Sequence, residues 1–397
     1  MPLHLQKISL TNFRNYEALR LDVGQAPQVV LVGANGAGKT NVLEAVSLLT
    51  PGKGLRGADL DELTRRDALA AAGAAAPLWA VAAELESAHG LSMRIGTGLD
   101  RTREDTARRV IRLNGKEVKG QRNLSEHVAA VWLTPQMDRI FIDGASARRK
   151  FLDRLVFAYV PDHVTQLNRH EKNLRERLRI LTEHRASDPR WLDTLEQQIA
   201  ADAISVSAAR THLLARLTHH LSQLSSRETL FPVPQVALRC TVAQLLQSVP
   251  ALEAEEKLQA MLRTSRSIDA AAGRSTQGAQ RADFSVRYAA KDMPAEYCST
   301  GEQKGLMLAI ILGHAMMMKA ECGFVPLLLL DEIAAHLDDA RRAQLFGHLS
   351  ALGGQVWLTG TDARLFDRLD RAAVFNIDHA SAQRVTAPAF KQAGTPS

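Results

Sequence analysis

The chain has 397 residues, 46% of them apolar, a net charge of +6 and three cysteines, Cys240, Cys298 and Cys322. That length exceeds what a single hydrophobic core fills, so two or more lobes are expected, and cysteines that are few, odd in number and not in paired spacing argue against a disulfide framework or a zinc site. The opening MPLHLQKISLTNF lacks the parts of a signal peptide, and the longest apolar run, Gly305 to Met318, is shorter than a bilayer span and contains His314, so a cytoplasmic globular protein with no membrane association is expected.

The first elements read as strands. LHLQKISL alternates with period two, LRLDV follows, and QVVLV, Gln28 to Val32, has the continuous apolar character of a strand covered on both faces. Directly after it, Gly33-Ala34-Asn35-Gly36-Ala37-Gly38-Lys39-Thr40 fits G-x-x-x-x-G-K-[ST], with a strand before it and a helix, about Lys39 to Leu49, behind it. In such a loop Gly36 and Gly38 let backbone N–H groups wrap a phosphate. Lys39 neutralises the β and γ oxygens, and Thr40 offers its hydroxyl to Mg²⁺. A nucleotide with Mg²⁺ is the expected ligand.

Past a Gly/Pro loop and the Ala-rich AAAGAAAP, strands are expected at LWAVAAELE, LSMRIG and RRVIRLNGKEV, the last turning on Asn114-Gly115, and at AVWLT before Pro135. Arg101 to Arg122 holds eight Lys/Arg against three acids, and Arg263 to Lys291 six against two. Such clusters suit a phosphate backbone, and equally a solvated face or an acidic partner. With no base-reading motif in view, Arg108, Arg109 and Arg112 are the candidate DNA contacts, made through phosphates.

From Ser146 to about Leu224 the period becomes helical. Leu167, Leu174, Leu178 and Leu181 form one stripe, HRASDPR interrupts it, and Leu192, Leu195, Ile199, Val206, Leu213 and Leu224 resume it. This predicts an antiparallel helical pair packed as a buried bundle, its second arm roughly 50 Å long at 1.5 Å per residue. DFSVRYAA then reads as a strand. Ser299 stands three residues before Glu302 at the head of the apolar run, a capping box; the same helix end, with Gly301, also suits an approaching anion. The strand PLLLL delivers Asp331 to a metal, with Glu332 beside it to orient or deprotonate a water, a pairing that favours hydrolysis. A helix near Asp339 to Leu349 and the strand QVWLT complete the reading.

Set beside the P-loop and the acidic strand, Ser299-Thr300-Gly301-Glu302-Gln303 resembles the signature motif of ABC-type ATPases. The resemblance implies that Ser299 and Gly301 face the γ-phosphate bound by a second subunit. It implies a Q-loop role for Gln136 at Mg²⁺ and the attacking water, and a D-loop position at the dimer seam for Asp338. Arg14 in NFRNY falls where related ATPases contact the nucleotide; an exposed arginine at a strand end is its other reading. Together LTNFRNYE, GANGAGKTNVLEAV, LTPQMDRIFIDGASARRKFLDRLV, CSTGEQK and LLLLDEIAAHLD resemble, in order, the RecF family of bacterial recombination mediators.

That family resemblance implies an α/β ABC-type head with an inserted, mainly helical second lobe: head at 1–136 and 283–397, lobe at 137–282. It implies ATP and Mg²⁺ as cofactors, an ATP-dependent homodimer, and binding to duplex DNA and single-strand/duplex junctions. Slow DNA-dependent ATP hydrolysis and work with RecR and RecO to place RecA, in gap repair and the SOS response, complete the expectation. Two departures stand out: GAQRADF, Gly278 to Phe284, replaces an expected G-P-H-R, and Ala335 occupies a place where relatives often have Ser. A transporter subunit would carry a switch histidine where Leu358 to Asp362 reads LTGTD, and an SMC protein would need a longer coiled coil. A non-hydrolysing, nucleotide-gated DNA-binding module stays open.

Overall fold

The computed structural model describes residues 3–67, 78–87, 90–100, 108–119, 122–183, 189–225 and 230–385. AAAGAAAP, most of HRASDPR, and residues 101–107 and 120–121 of the first basic segment lie outside the described residues. The chain divides into two compact units, 1–137 with 318–397, and 138–317.

Among the described residues the first unit holds two six-stranded sheets. One is antiparallel, built from β1 (Leu3–Phe13), β2 (Tyr16–Asp22), β4 (Ala80–Ser87), β5 (Ser92–Asp100), β6 (Arg108–Leu113) and β7 (Lys116–Val118) in the order β2-β1-β4-β5-β6-β7. Its last hairpin turns on Asn114 and Gly115, both with positive φ (49° and 83°), the backbone that a two-residue turn matching strand twist demands and that Asn-Gly adopts readily. The other sheet comprises β3 (Gln28–Val32), β8 (Ala130–Leu133), β12 (Leu327–Leu330), β13 (Val356–Gly360), β14 (Ala372–Asp378) and β15 (Ser381–Val385), ordered β15-β14-β3-β13-β12-β8. All its pairings are parallel except β14 with β15. β3, β8, β12 and β13 are buried at every position, which explains why they read as nearly continuous apolar runs. One core joins the sheets: Leu10, Trp79 and Val81 share it with Leu31, Leu329 and Trp357.

In the second unit the helices His163–Thr182 and Pro189–Ser225 pack together, and the longer one also packs on Ala251–Thr264. This is a bundle, as the interrupted stripe indicates. A small sheet, β11-β10-β9, joins β9 (Pro234–Arg239), β10 (Asp283–Tyr288) and β11 (Met293–Pro294). The boundary expected after residue 282 is therefore corrected. DFSVRY is β10, whose antiparallel partner is β9 inside the second unit, and the division falls at Met317/Met318, within the helix Thr300–Cys322. That helix is long and apolar enough to cross a membrane, but most of it is buried in protein. Gly313 lets it approach Leu221, whose Cδ2 would lie 2.6 Å from an added Cβ.

In this unit a stretch that carries the family resemblance, Arg148 to Asp153, fastens onto the departing segment Gly278 to Phe284. Arg148 grips Asp283 through both carboxylate oxygens at 2.7 and 3.1 Å, Arg149 donates to the Ala282 carbonyl at 2.7 Å, and Arg210 spans Asp153 and the Ala279 carbonyl. In the departing segment, Gln280 Oε1 accepts a hydrogen bond from His170 Nε2 at 3.1 Å, so this position retains a polar partner without the expected histidine.

Candidate nucleotide site

β3 ends against the loop Gly33–Gly38, and the helix Lys39–Ser47 starts immediately after it. Two glycines are required by packing. A Cβ on Gly33 (φ 149°) would sit 2.2 Å from the Ile377 carbonyl oxygen, and one on Gly38 (φ 114°) 2.5 Å from the Tyr16 hydroxyl. Ala34, Asn35 and Gly36 form the exposed crest. Lys39 is folded back, its Nζ donating to the Gly33 and Ala34 carbonyls at 2.7 and 2.8 Å. Burial draws its ammonium below the ordinary range, while Glu332 and Asp331 pull the other way. The cation is thus desolvated and waiting at the loop's centre, with both carboxylates close enough to feel it.

Sheet topology brings the acidic residues to the loop. β13 separates β3 from β12, so the carboxyl ends of the P-loop strand and the acidic strand open on the same edge. There the Thr40 hydroxyl meets Asp331, 3.1 Å from Oδ1 and 2.9 Å from Oδ2. Asp331 N–H donates to the Leu133 carbonyl at 2.9 Å, and three residues beyond Leu133 the exposed Gln136 lies in a 3₁₀ turn, Pro135–Arg139. Glu332 is held in the left-handed region (φ 55°), which turns it off the line of β12.

Among the described residues no group of three or more His, Cys, Asp or Glu is placed to hold a metal. The donors that do converge, a hydroxyl and a carboxylate, are hard oxygens, too few to enclose a cation alone. This fits Mg²⁺ arriving with a phosphate chain, where one or two protein oxygens suffice. Thr40 and Asp331 would hold it, and the bound ion would supply charge stabilisation on the phosphate oxygens.

The remaining site residues are placed as follows. Arg14 is not aimed at the loop: it clasps Glu44 through Nε and NH2 at 2.8 and 2.7 Å and the Glu62 carbonyl through NH1 at 2.8 Å. Glu44 is fully buried, and a buried carboxylate must be paired, which accounts for this clasp. Arg56 pairs with the same Glu44 at 2.8 Å. Asn15, not singled out from sequence, links the Ala37 carbonyl (3.2 Å) to Asn41 (2.7 Å) and so braces the loop.

In the second unit Ser299 and Glu302 form the capping box. The Ser299 N–H and hydroxyl lie 2.9 and 3.0 Å from Glu302 Oε2, and Glu302 N–H reaches Ser299 Oγ at 3.4 Å. Lys291 on the other carboxylate oxygen, with the Ser299 bonds, lowers Glu302 to about 2. Both Ser299 and Gly301 are exposed, and the space where a Gly301 side chain would be is open. Asp338 is exposed and caps the helix Asp339–Leu352, accepting from Arg341 N–H at 2.8 Å.

Arg109 requires a correction. It turns inward, donating to Thr97 Oγ1 at 2.8 Å and to the carbonyls of Gly52, Leu48 and Thr50 behind the P-loop helix. Burial lowers its guanidinium to about 10. With these donors committed, it is a brace rather than a DNA contact in this conformation. Alternation along β6 sends Arg108 and Arg112 to the opposite, exposed side, where Arg108 pairs with Asp100 and Glu117.

A parallel sheet with a P-loop on one strand, an acidic pair two strands away and an antiparallel sheet sharing its core defines a P-loop ATPase head of the ABC type. Solved structures agree. The chain superposes on the "recombination mediator protein RecF-ATPrS in RecFOR pathway" with TM-score 0.82 at 23% identity, covering 97% of this chain and 99% of that one. It matches a Pyrococcus furiosus Smc head domain with TM-score 0.52 at 15% identity, covering 96% of each. The RecF/RecN/SMC N terminal domain family matches residues 4–382. Among curated proteins, the DNA replication and repair protein RecF of Agrobacterium fabrum is 45% identical over 376 residues, 94% of this chain and 97% of that protein. The RecF of Caulobacter vibrioides is 44% identical, over 93% and 95%. The chain belongs to the RecF family.

Proposed function

We propose that this protein is an ATP-dependent, DNA-binding recombination mediator that dimerises on ATP, hydrolyses it slowly in the presence of DNA, and acts with RecR and RecO to place RecA at single-strand/duplex junctions during gap repair and the SOS response. The observation that carries the proposal is the convergence of Thr40 on Asp331 beside a desolvated Lys39, in a chain similar to RecF proteins along nearly its whole length. In this reading Lys39 and the loop N–H groups bind the phosphates, Asp331 and Thr40 the metal, and Glu332 and Gln136 the attacking water. Ser299 and Gly301 meet the γ-phosphate of a second subunit, the open approach at Gly301 leaving room for it. The cytoplasm is the compartment such work requires.

Sedimentation with ATP, ADP or no nucleotide, with and without a gapped duplex, tests the gating and the substrate together. Lys39→Met loses ATP binding and nucleotide-dependent DNA retention, whereas Glu332→Gln keeps ATP and accumulates as a dimer. Ser299→Arg binds ATP but does not associate, and mixing it with Lys39→Met restores partial association, because one composite site of the mixed dimer is intact. A Glu332→Gln protein that stays monomeric at saturating ATP refutes the sandwich, and equal single-turnover rates for wild type and Glu332→Gln favour a non-hydrolysing switch.

A further inference from the structure

Thr359 lies at the carboxyl end of β13, the strand between the P-loop strand and the acidic strand, and is fully buried. Its register places it opposite Leu31 of β3, while its neighbour Leu358 stands opposite Leu330 of β12, so the Thr359 side chain arrives beside Asp331. Its hydroxyl is used twice. It donates to Asp331 Oδ1 at 2.7 Å and accepts the Glu332 backbone N–H at 2.8 Å. We propose that Thr359 is a positioning residue for both acidic groups of the nucleotide site, fixing the Asp331 carboxylate for the metal and the Glu332 turn for the water. This inference rests on the nucleotide reading above.

The physical case is one of satisfied valence. A buried serine or threonine hydroxyl has one proton to give and lone pairs to receive, and here both are spent on adjacent residues. Glu332 occupies a backbone region, φ 55°, that a non-glycine residue keeps only where its surroundings hold it. The bond from its N–H to Thr359 is a direct restraint on that turn. Asp331 Oδ1 likewise has a partner that does not leave when Thr40 turns toward a metal, so the carboxylate keeps its orientation through the exchange. Residues that orient a metal ligand typically change metal affinity or activity about 10–100-fold when removed.

The test compares Thr359→Val, which keeps the volume and loses the hydroxyl, with Thr359→Ser, which keeps the hydroxyl. Binding of a fluorescent ATP analogue is titrated with Mg²⁺ and repeated in EDTA, and hydrogen exchange is followed at the Glu332 amide. In Thr359→Val the Mg²⁺ concentration for half-maximal binding rises about 10–100-fold, binding in EDTA is unchanged, and the Glu332 amide exchanges faster; Thr359→Ser restores all three to near wild type. Should Thr359→Val not fold, Thr359→Ala against Thr359→Ser isolates the same hydroxyl. Wild-type Mg²⁺ dependence without the hydroxyl, or failure of serine to rescue a folded protein, overturns the inference. Absence of Mg²⁺-dependent binding in the wild type instead overturns the nucleotide reading itself.

Discussion

Replacing Arg177 with Met removes the centre of a buried polar seam in the second unit. Arg177, Glu196 and Asp269 have no solvent exposure, and the guanidinium reaches Glu196 at 2.8 Å, Asp269 at 2.6 Å and the Leu262 carbonyl at 2.7 Å. Removing one partner of a buried ion pair costs about 3–5 kcal/mol, because a charge stays behind unpaired. Here the remaining groups are partly served: Arg266 still holds Glu196 at 2.6 Å, and Thr276 and Ser265 still donate to Asp269. The lower end, about 3 kcal/mol, is therefore expected, a loss on the order of 100-fold in folded population. Burial works against the Asp269 carboxylate, yet bonds from Thr276, Arg177 and Ser265 hold it below its ordinary range. Its stabilising effect is present above the unfolded pKa and lost as pH falls through the folded one, so Arg177→Met also moves acid unfolding to higher pH. Urea unfolding followed by hydrogen exchange of amides in Pro189–Ser225 reads the second unit separately from the first. A loss under about 1 kcal/mol, the size of an exposed pair, would refute the argument by showing that water reaches the seam.

Three further outcomes are expected. His314 is fully buried, its Nε2 3.0 Å from the Leu155 carbonyl, and burial lowers it from 6.5 to about 4; the neutral ring is preferred in the fold, so stability is full above pH 6.5 and falls by about 3 kcal/mol toward pH 4. His314→Gln flattens that dependence in urea titrations, and an unchanged slope contradicts the assignment. Arg109→Ala strands the carbonyls behind the P-loop helix and costs about 2 kcal/mol, measured by thermal unfolding, where a neutral result would mean that water replaces the guanidinium. Arg108→Ala with Arg112→Ala weakens duplex binding equally across sequences and lowers the salt slope by about 1–2, while an unaltered slope assigns this face to another purpose.

Local rules settled much of this protein from the sequence. The P-loop, the acidic strand, the capping box at Ser299 and the Asn114-Gly115 hairpin are short-range features, fixed by glycine conformation, strand burial and helix-end valence, and each is found at its expected residues. The helical period in the second unit was equally legible, but its buried face was not. The leucine stripe of His163–Thr182 is only partly buried at Leu167, Leu174 and Leu178, while His163, His170 and Arg177, also seven residues apart, are fully buried. A heptad of polar residues looks like a solvated face until its partners are known, and those partners, Asp153, Gln280, Glu196 and Asp269, all lie on other elements. Arg14 and Arg109 show the same limit: a charged side chain near a strand end reads as exposed, whereas here Glu44 and the carbonyls after the P-loop helix claim it. Thr359 gave no signal at all, since a hydroxyl in LTGTD has meaning only once the sheet order puts β13 between β3 and β12. Sequence determines which groups the chain can offer; tertiary structure decides which are desolvated, and desolvation decides which must find a partner.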